Sequence, residues 1–288
     1  MLGVRVREIE SYKSYGEILS ETDNNADRYF SGSSHWYTRD MIIIANWKAK
    51  VGSIADAKKL IVASKKIADA KVHQVIVAPP VPYLGLFSLD NKSKLQFASQ
   101  DITLTDGGAQ TGEVTGDMIA SVKAKYVIIG HSERRALGDT DADVQVKVQH
   151  ALTSGLTPIV CVGEKVRDDE ARYLSVLRAQ IDSIYTGVQA KDHDKIILAY
   201  EPIWAIGKST SEGITPDDLT EMIQYIRKIL SVHLPKKKVD GAVILYGGAV
   251  EPLNAKALSI GTGINGLLVG HVSTDAKAFT ALTKSLPH

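Results

Sequence analysis

From residue 41 onward the chain alternates between two kinds of apolar pattern. Short β-branched runs recur at Ile42–Ala45, Val75–Ala78, Leu95–Ala98, Tyr126–Ile129, Pro158–Val162, Ile196–Tyr200, Val243–Tyr246 and Leu267–Val269. They are continuous instead of alternating, as strands buried on both faces of a parallel sheet require. Between most of them lie segments of helical period. In Ser53–Ala68 the residues Ile54, Ala57, Leu60, Ile61, Ser64 and Ile67 fall on one stripe. Asp139–Thr153, Glu170–Ile184, Thr215–Val232 and Ser273–Leu286 follow the same period. Thr215-Pro216-Asp217-Asp218 marks a helix start, with a capping hydroxyl and proline in the first turn. Eight strands alternating with helices predict an α/β protein, a (β/α)8 barrel spanning 41–288. A doubly wound sheet is the structural rival. It calls for a phosphate loop after its first strand, where this chain has Asn46-Trp47-Lys48.

Residues 1–40 read differently. They hold Tyr12, Tyr15, Tyr29 and Tyr37 but no sustained period of either kind, and Ser31-Gly32-Ser33-Ser34 resembles a linker. The expectation is a poorly ordered N-terminal extension, with a docked arm as the alternative. Met41 fits a start of the barrel domain, and of translation.

Composition narrows the class. With 288 residues, 44% hydrophobic and 23% charged, wholesale disorder and fibrous repeats are excluded. The net charge of +1 shows no basic excess, so a nucleic-acid partner is not expected. No run approaches the ~18 apolar residues of a membrane helix, so no membrane partner is expected either. The single cysteine, Cys161, excludes an intrachain disulfide and a cysteine zinc cage. A cytoplasmic location follows as the expectation.

In such a barrel, chemistry collects where strands end. Here strand 1 runs into Asn46 and Lys48, strand 4 into His131 and strand 6 into Glu201. Strand 7 ends in Tyr246-Gly247-Gly248 and strand 8 in Gly270. Each has a duller alternative: a surface lysine, a core histidine, a strand-end carboxylate, tight turns. Their convergence on one rim favours function. Glu201, between Tyr200 and Pro202, suits a partly dehydrated base. The amides after His131 favour neutral imidazole. Glycine turns at the last two strands suit a phosphate. Gly261-Thr262-Gly263-Ile264-Asn265-Gly266 fits a dinucleotide fingerprint, but it precedes a strand and is rejected.

Ala45-Asn46-Trp47-Lys48, Gly130-His131-Ser132-Glu133-Arg134-Arg135, Ala199-Tyr200-Glu201-Pro202-Ile203-Trp204-Ala205-Ile206-Gly207 and Tyr246-Gly247-Gly248 together resemble the triosephosphate isomerase family. Thr111-Gly112-Glu113 and Cys161-Val162-Gly163-Glu164 add to the likeness, which runs from Met41 to about Leu286. The resemblance implies a TIM barrel that interconverts dihydroxyacetone phosphate and D-glyceraldehyde 3-phosphate through an enediolate, without metal or organic cofactor. It implies Glu201 as base, His131 as electrophile, Lys48 and Asn46 as donors, and Glu133 as anchor. Phosphate contacts fall on Lys48, Gly207, Gly247, Gly248, Ala249, Gly270 and His271. Pro202, Ile203, Trp204, Ala205, Ile206, Gly207, Lys208 and Ser209 become a lid. A homodimer follows, with Thr111, Gly112 and Glu113 reaching the partner's site. A non-catalytic sugar-phosphate barrel and another phosphosugar enzyme are the competing classes. The chain departs from the family at Ala49-Lys50, Ser209, Ala249 and His271.

Overall fold

The computed structural model describes residues 41–208 and 212–287, so the expectation for residues 1–40 and that for Ser209 lie outside the described residues. Eight parallel strands close in sequence order into a barrel: β1 (Ile42–Asn46), β2 (Gln74–Ala78), β3 (Gln96–Ser99), β4 (Tyr126–Ile129), β5 (Thr157–Val162), β6 (Ile197–Tyr200), β7 (Ile244–Tyr246) and β8 (Gly266–Val269). The seam is made by β1 on β8, with Ile42 opposite Gly266. The predicted (β/α)8 architecture holds, with strand bounds shifted by a residue or two.

Two apolar layers explain the continuous runs. Ile44, Ile76, Ala98, Ile128, Ile159, Ala199, Leu245 and Leu268, drawn from all eight strands, pack together inside the barrel. Their neighbours Ile43, Val75, Phe97, Val127, Val160, Leu198, Ile244 and Leu267 belong to a second cluster under the helices. Side chains alternate along a strand. Parity therefore carries Asn46 and Glu201 onto the interior side, two residues beyond Ile44 and Ala199.

The helices are α1 (Ile54–Asp69), α2 (Val81–Ser88), α3 (Gly116–Ser121), α4 (Ser132–Ala136), α5 (Asp141–Thr153), α6 (Arg172–Thr186), α7 (Pro216–His233), α8 (Lys236–Gly241), α9 (Ala255–Ser259) and α10 (Ala276–Ser285). Hydroxyl caps start three of the long ones: Ser53, Thr140 and Thr215 each accept a first-turn amide, whereas α6 begins at Ala171 without a side-chain cap. The predicted helix Ser273–Leu286 is in fact a 3-10 turn, His271–Thr274, followed by α10. Asp275 forces the division, because its carboxylate accepts the Ala278 amide and so begins a new helix. No helix among the described residues is long and apolar enough to cross a membrane.

One polar cluster ties the frame below the rim. Lys147 on α5 is only 2% exposed. Its ammonium meets both Asp101 oxygens at 2.9 and 3.0 Å and Asp139 at 2.6 Å. Arg134 on α4 joins through Asp101 at 2.8 Å.

Candidate active site

The polar strand ends converge on one cavity of about 400 Å³, bordered by Asn46, Lys48, His131, Glu201, Gly248 and Gly270. Asn46 is buried, and its side-chain oxygen accepts the Lys48 amide at 2.9 Å. That bond accompanies a left-handed backbone at Lys48, φ 51°. A non-glycine residue in that region stores about 1–3 kcal/mol of strain. Gln100 contributes a further hold, donating to the Lys48 carbonyl at 3.0 Å. The Lys48 ammonium lies 2.6 Å from Glu133.

His131 caps α4. Its Nδ1 accepts the Glu133 amide at 3.2 Å, so the ring hydrogen sits on Nε2. Nε2 lies 3.3 Å from a Glu201 oxygen. The other Glu201 oxygen accepts the Ser132 amide at 3.1 Å. Glu201 is 2% exposed, which denies its carboxylate most of its water. The Glu201 carboxylate, the imidazole and the helix start thus form one hydrogen-bonded unit. Burial pushes the Glu133 carboxyl up, but the Lys48 bond and charge, with His131 and Lys50, hold it below its ordinary value. Beneath Glu201, burial and the Glu201 charge push the Cys161 thiol well up, so it stays protonated.

Two glycines make room for the carboxylate. A Cβ on Gly163 would strike the Glu201 carbonyl, and one on Gly247 would meet the Glu201 side chain at 2.8 Å. Gly247 commits its amide to the Tyr200 carbonyl at 2.8 Å. Its place at the cavity is therefore a matter of space, since that amide is already bonded. Gly248, Ala249, Gly207 and Gly270 border the same cavity, with Ile206 and Lys208. His271 also lines it, with Nδ1 3.1 Å from the Lys50 ammonium.

The segment that follows β6 is pinned at its start. Glu164, 1% exposed, accepts the Tyr200 hydroxyl at 2.9 Å and the Trp204 indole at 2.8 Å. The Ile203 amide donates to the Glu164 carbonyl at 3.0 Å, and Ile203–Ala205 form a 3-10 turn after Pro202. Lys208 lies over the Trp204 ring, 5.8 Å from its centroid. On the other side of Lys48 a second cavity of about 380 Å³ is bordered by Gly112 and Glu113 of the same chain, while Thr111 is exposed beside them.

Sequence reasoning missed Ser132, Gln100, Ser273 and the function of Glu164. Ser273 donates to the Asn46 carbonyl at 3.2 Å and to the Gly270 carbonyl at 2.7 Å, tying the last strand's loop to the first. Ser132 had a signal, since an amide following a rim histidine at a helix start is an obvious donor. The others had none, because the partners that tie them to the site are distant in sequence: Lys48 for Gln100, Trp204 for Glu164 and Asn46 for Ser273.

A buried carboxylate, a hydrogen-bonded imidazole and an ammonium around one small cavity define a (β/α)8-barrel enzyme of the acid–base type. The triosephosphate isomerase family model matches residues 41–286. The chain is similar to the triosephosphate isomerase of Hahella chejuensis (strain KCTC 2396), 38% identical over 253 residues, covering 86% of this chain and 98% of the relative. The enzyme of the same name from Herminiimonas arsenicoxydans is 38% identical over 253 residues, covering 86% and 99%. That from Carboxydothermus hydrogenoformans (strain ATCC BAA-161 / DSM 6008 / Z-2901) is 37% identical over 249 residues, covering 85% and 98%. The chain belongs to the triosephosphate isomerase family.

Proposed function

We propose that the chain interconverts dihydroxyacetone phosphate and D-glyceraldehyde 3-phosphate through an enediolate, serving glycolysis and gluconeogenesis in the cytoplasm. Glu201 removes the proton from the carbon beside the carbonyl. His131, with its hydrogen on Nε2, polarises the carbonyl and moves protons between the two oxygens. Lys48 and Asn46 supply positive charge and a donor to the developing oxyanion. Glu133 anchors Lys48 until substrate competes for it. Lys48, Gly207, Gly248, Ala249, Gly270 and His271 hold the phosphate, while Gly247 leaves space for the base. The segment from Pro202 through Ser209 closes over the ligand, because an exposed enediolate phosphate expels its phosphate group. All of this chemistry is carried by side chains and amides, with no metal or organic cofactor.

The observation carrying this reading is the unit formed by Glu201 Oε1 and His131 Nε2 at 3.3 Å beside Lys48. An acid–base pair spanning one cavity is what a proton transfer between adjacent carbons needs. Glu201→Gln should lower turnover of glyceraldehyde 3-phosphate in a coupled assay by about a hundred- to ten-thousandfold. Binding of a non-reacting phosphate ester should persist. Undiminished turnover removes Glu201 as base, and no turnover in the wild-type chain favours a non-catalytic sugar-phosphate binder.

We further propose a homodimer, with Thr111, Gly112 and Glu113 of one protomer docking beside Lys48 of its partner. The second cavity, open beside Lys48, supports this reading. Sedimentation at micromolar concentration tests it, and a monomer there defeats it.

A further inference from the structure

We propose that Lys50 and His271 form a proton-coupled clamp for the ligand's anionic group, His271 gaining a proton as a dianion settles between the two side chains. The inference rests on the reading of the cavity as a phosphate-ester site and adds to it the Lys50 contact and a proton on His271.

Lys50 and His271 are 221 positions apart. The pairing of β1 with β8 brings their loops together, and both side chains border the cavity that holds His131 and Glu201. The Lys50 ammonium sits 3.1 Å from His271 Nδ1. An ammonium has hydrogens to donate and no lone pair. Nδ1 is therefore the acceptor, and the neutral ring carries its hydrogen on Nε2. Committing a full positive charge to a neutral imidazole is a weak use of that charge. Two like charges at 3.1 Å would repel, whereas an anion between the two side chains could be shared by both.

An anion reverses that balance. A dianion placed between the two side chains accepts an N–H from Lys50, which turns away from Nδ1. The freed Nδ1 takes one proton from solvent and donates it to a second anion oxygen. One hydrogen bond is exchanged for two charge-assisted ones, and one proton is taken up. The other charged groups facing this place are Lys48 beyond β1, His131 and Glu133 at α4, Glu201 beyond β6, Lys208 on the lid segment and Glu251 beyond β7. Glu133 is already paired with Lys48 at 2.6 Å. It feels Lys50 through space without a hydrogen bond to it. Affinity for phosphorylated ligands is therefore set partly by these two side chains.

Sulfate is the probe, because it stays a dianion from pH 6 to 8 while phosphate itself titrates there. Calorimetry on the full chain, in two buffers of different ionisation enthalpy, gives both affinity and protons taken up. The wild type should bind sulfate about fivefold more tightly at pH 6 than at pH 8. Net proton uptake should accompany binding. His271→Asn should flatten the pH dependence and remove the uptake, and Lys50→Met should weaken sulfate at both pH values. Both side chains are exposed, so neither substitution threatens folding. A wild-type affinity independent of pH, or a His271→Asn slope equal to the wild type, overturns the clamp. Turnover of triose phosphate with an unchanged slope in His271→Asn sinks the clamp and leaves the proposed function standing. Absent turnover in a wild type whose slope His271→Asn removes has the opposite meaning.

Discussion

Replacing Lys147 by Met tests whether the charged cluster under the rim is held by burial or by circumstance. The lysine is 2% exposed, Asp139 about 10% and Asp101 about 25%, so little water screens the three. Methionine fills the same length but withdraws the ammonium from two carboxylates. Arg134, 42% exposed, remains as a partial counter-charge to Asp101 at 2.8 Å. Removing one partner of a buried ion pair costs about 3–5 kcal/mol, because the other charge is left unpaired. For a barrel of this size that corresponds to a fall of about 10 °C in the unfolding midpoint. The sign with pH is also fixed. Burial already raises the Asp101 carboxyl, against the bonds and charges of Lys147 and Arg134. A carboxyl whose folded-state value lies above its unfolded one costs nothing below the unfolded value. The cost grows as pH rises through the folded value. Losing Lys147 raises that folded value further, so the penalty at pH 7 should exceed that at pH 4.5. Urea unfolding at both pH values, at one protein concentration, measures this. Lys147→Met combined with Asp101→Asn should recover part of the loss. A penalty under about 1 kcal/mol, or one that does not shrink on acidification, refutes the argument. Turnover is expected to fall as well, since Arg134 shares α4 with Ser132, whose amide holds Glu201.

Gly163→Ala should lower turnover at least about tenfold, because the added carbon meets the Glu201 carbonyl and must move the base; overpacking of this kind costs about 1–3 kcal/mol, and unchanged kinetics would remove Gly163 from the machinery. Glu133→Gln should destabilise the fold across neutral pH. Since the Glu133 carboxyl is held below its ordinary 4.5, its contribution is present above that value and lost as pH falls through the lowered one. Thermal midpoints of variant and wild type should therefore converge in acid, and a constant gap down to pH 3 contradicts the pairing with Lys48.

What the sequence discloses here depends on whether a signal is local. The eight β-branched runs are local, and they placed every strand. Asn46, His131 and Glu201 were legible because each interrupts such a run at its end, and strand parity decides which way the first and last face. Helices α2, α3 and α4 were not outlined by period. Val81–Ser88 is nearly all apolar over two turns, and the other two are no longer than six residues. A stripe needs more length than that to show itself. The supports of the site were invisible for a different reason. Gln100, Glu164 and Ser273 act on partners 52, 40 and 227 residues away. A polar residue in a loop carries no mark of the carbonyl or indole it will meet. The proposed phosphate end is the intermediate case. Backbone amides leave no side-chain signature, so glycines were its sign, and Gly247 shows that a glycine at such a place can serve a neighbouring carboxylate instead. His271 and Lys50 each stood out as departures from the family resemblance. That they face one another was not legible until β1 and β8 were paired. A departure from a family's pattern can thus be read from the sequence, but its chemical consequence requires knowing what stands across the seam.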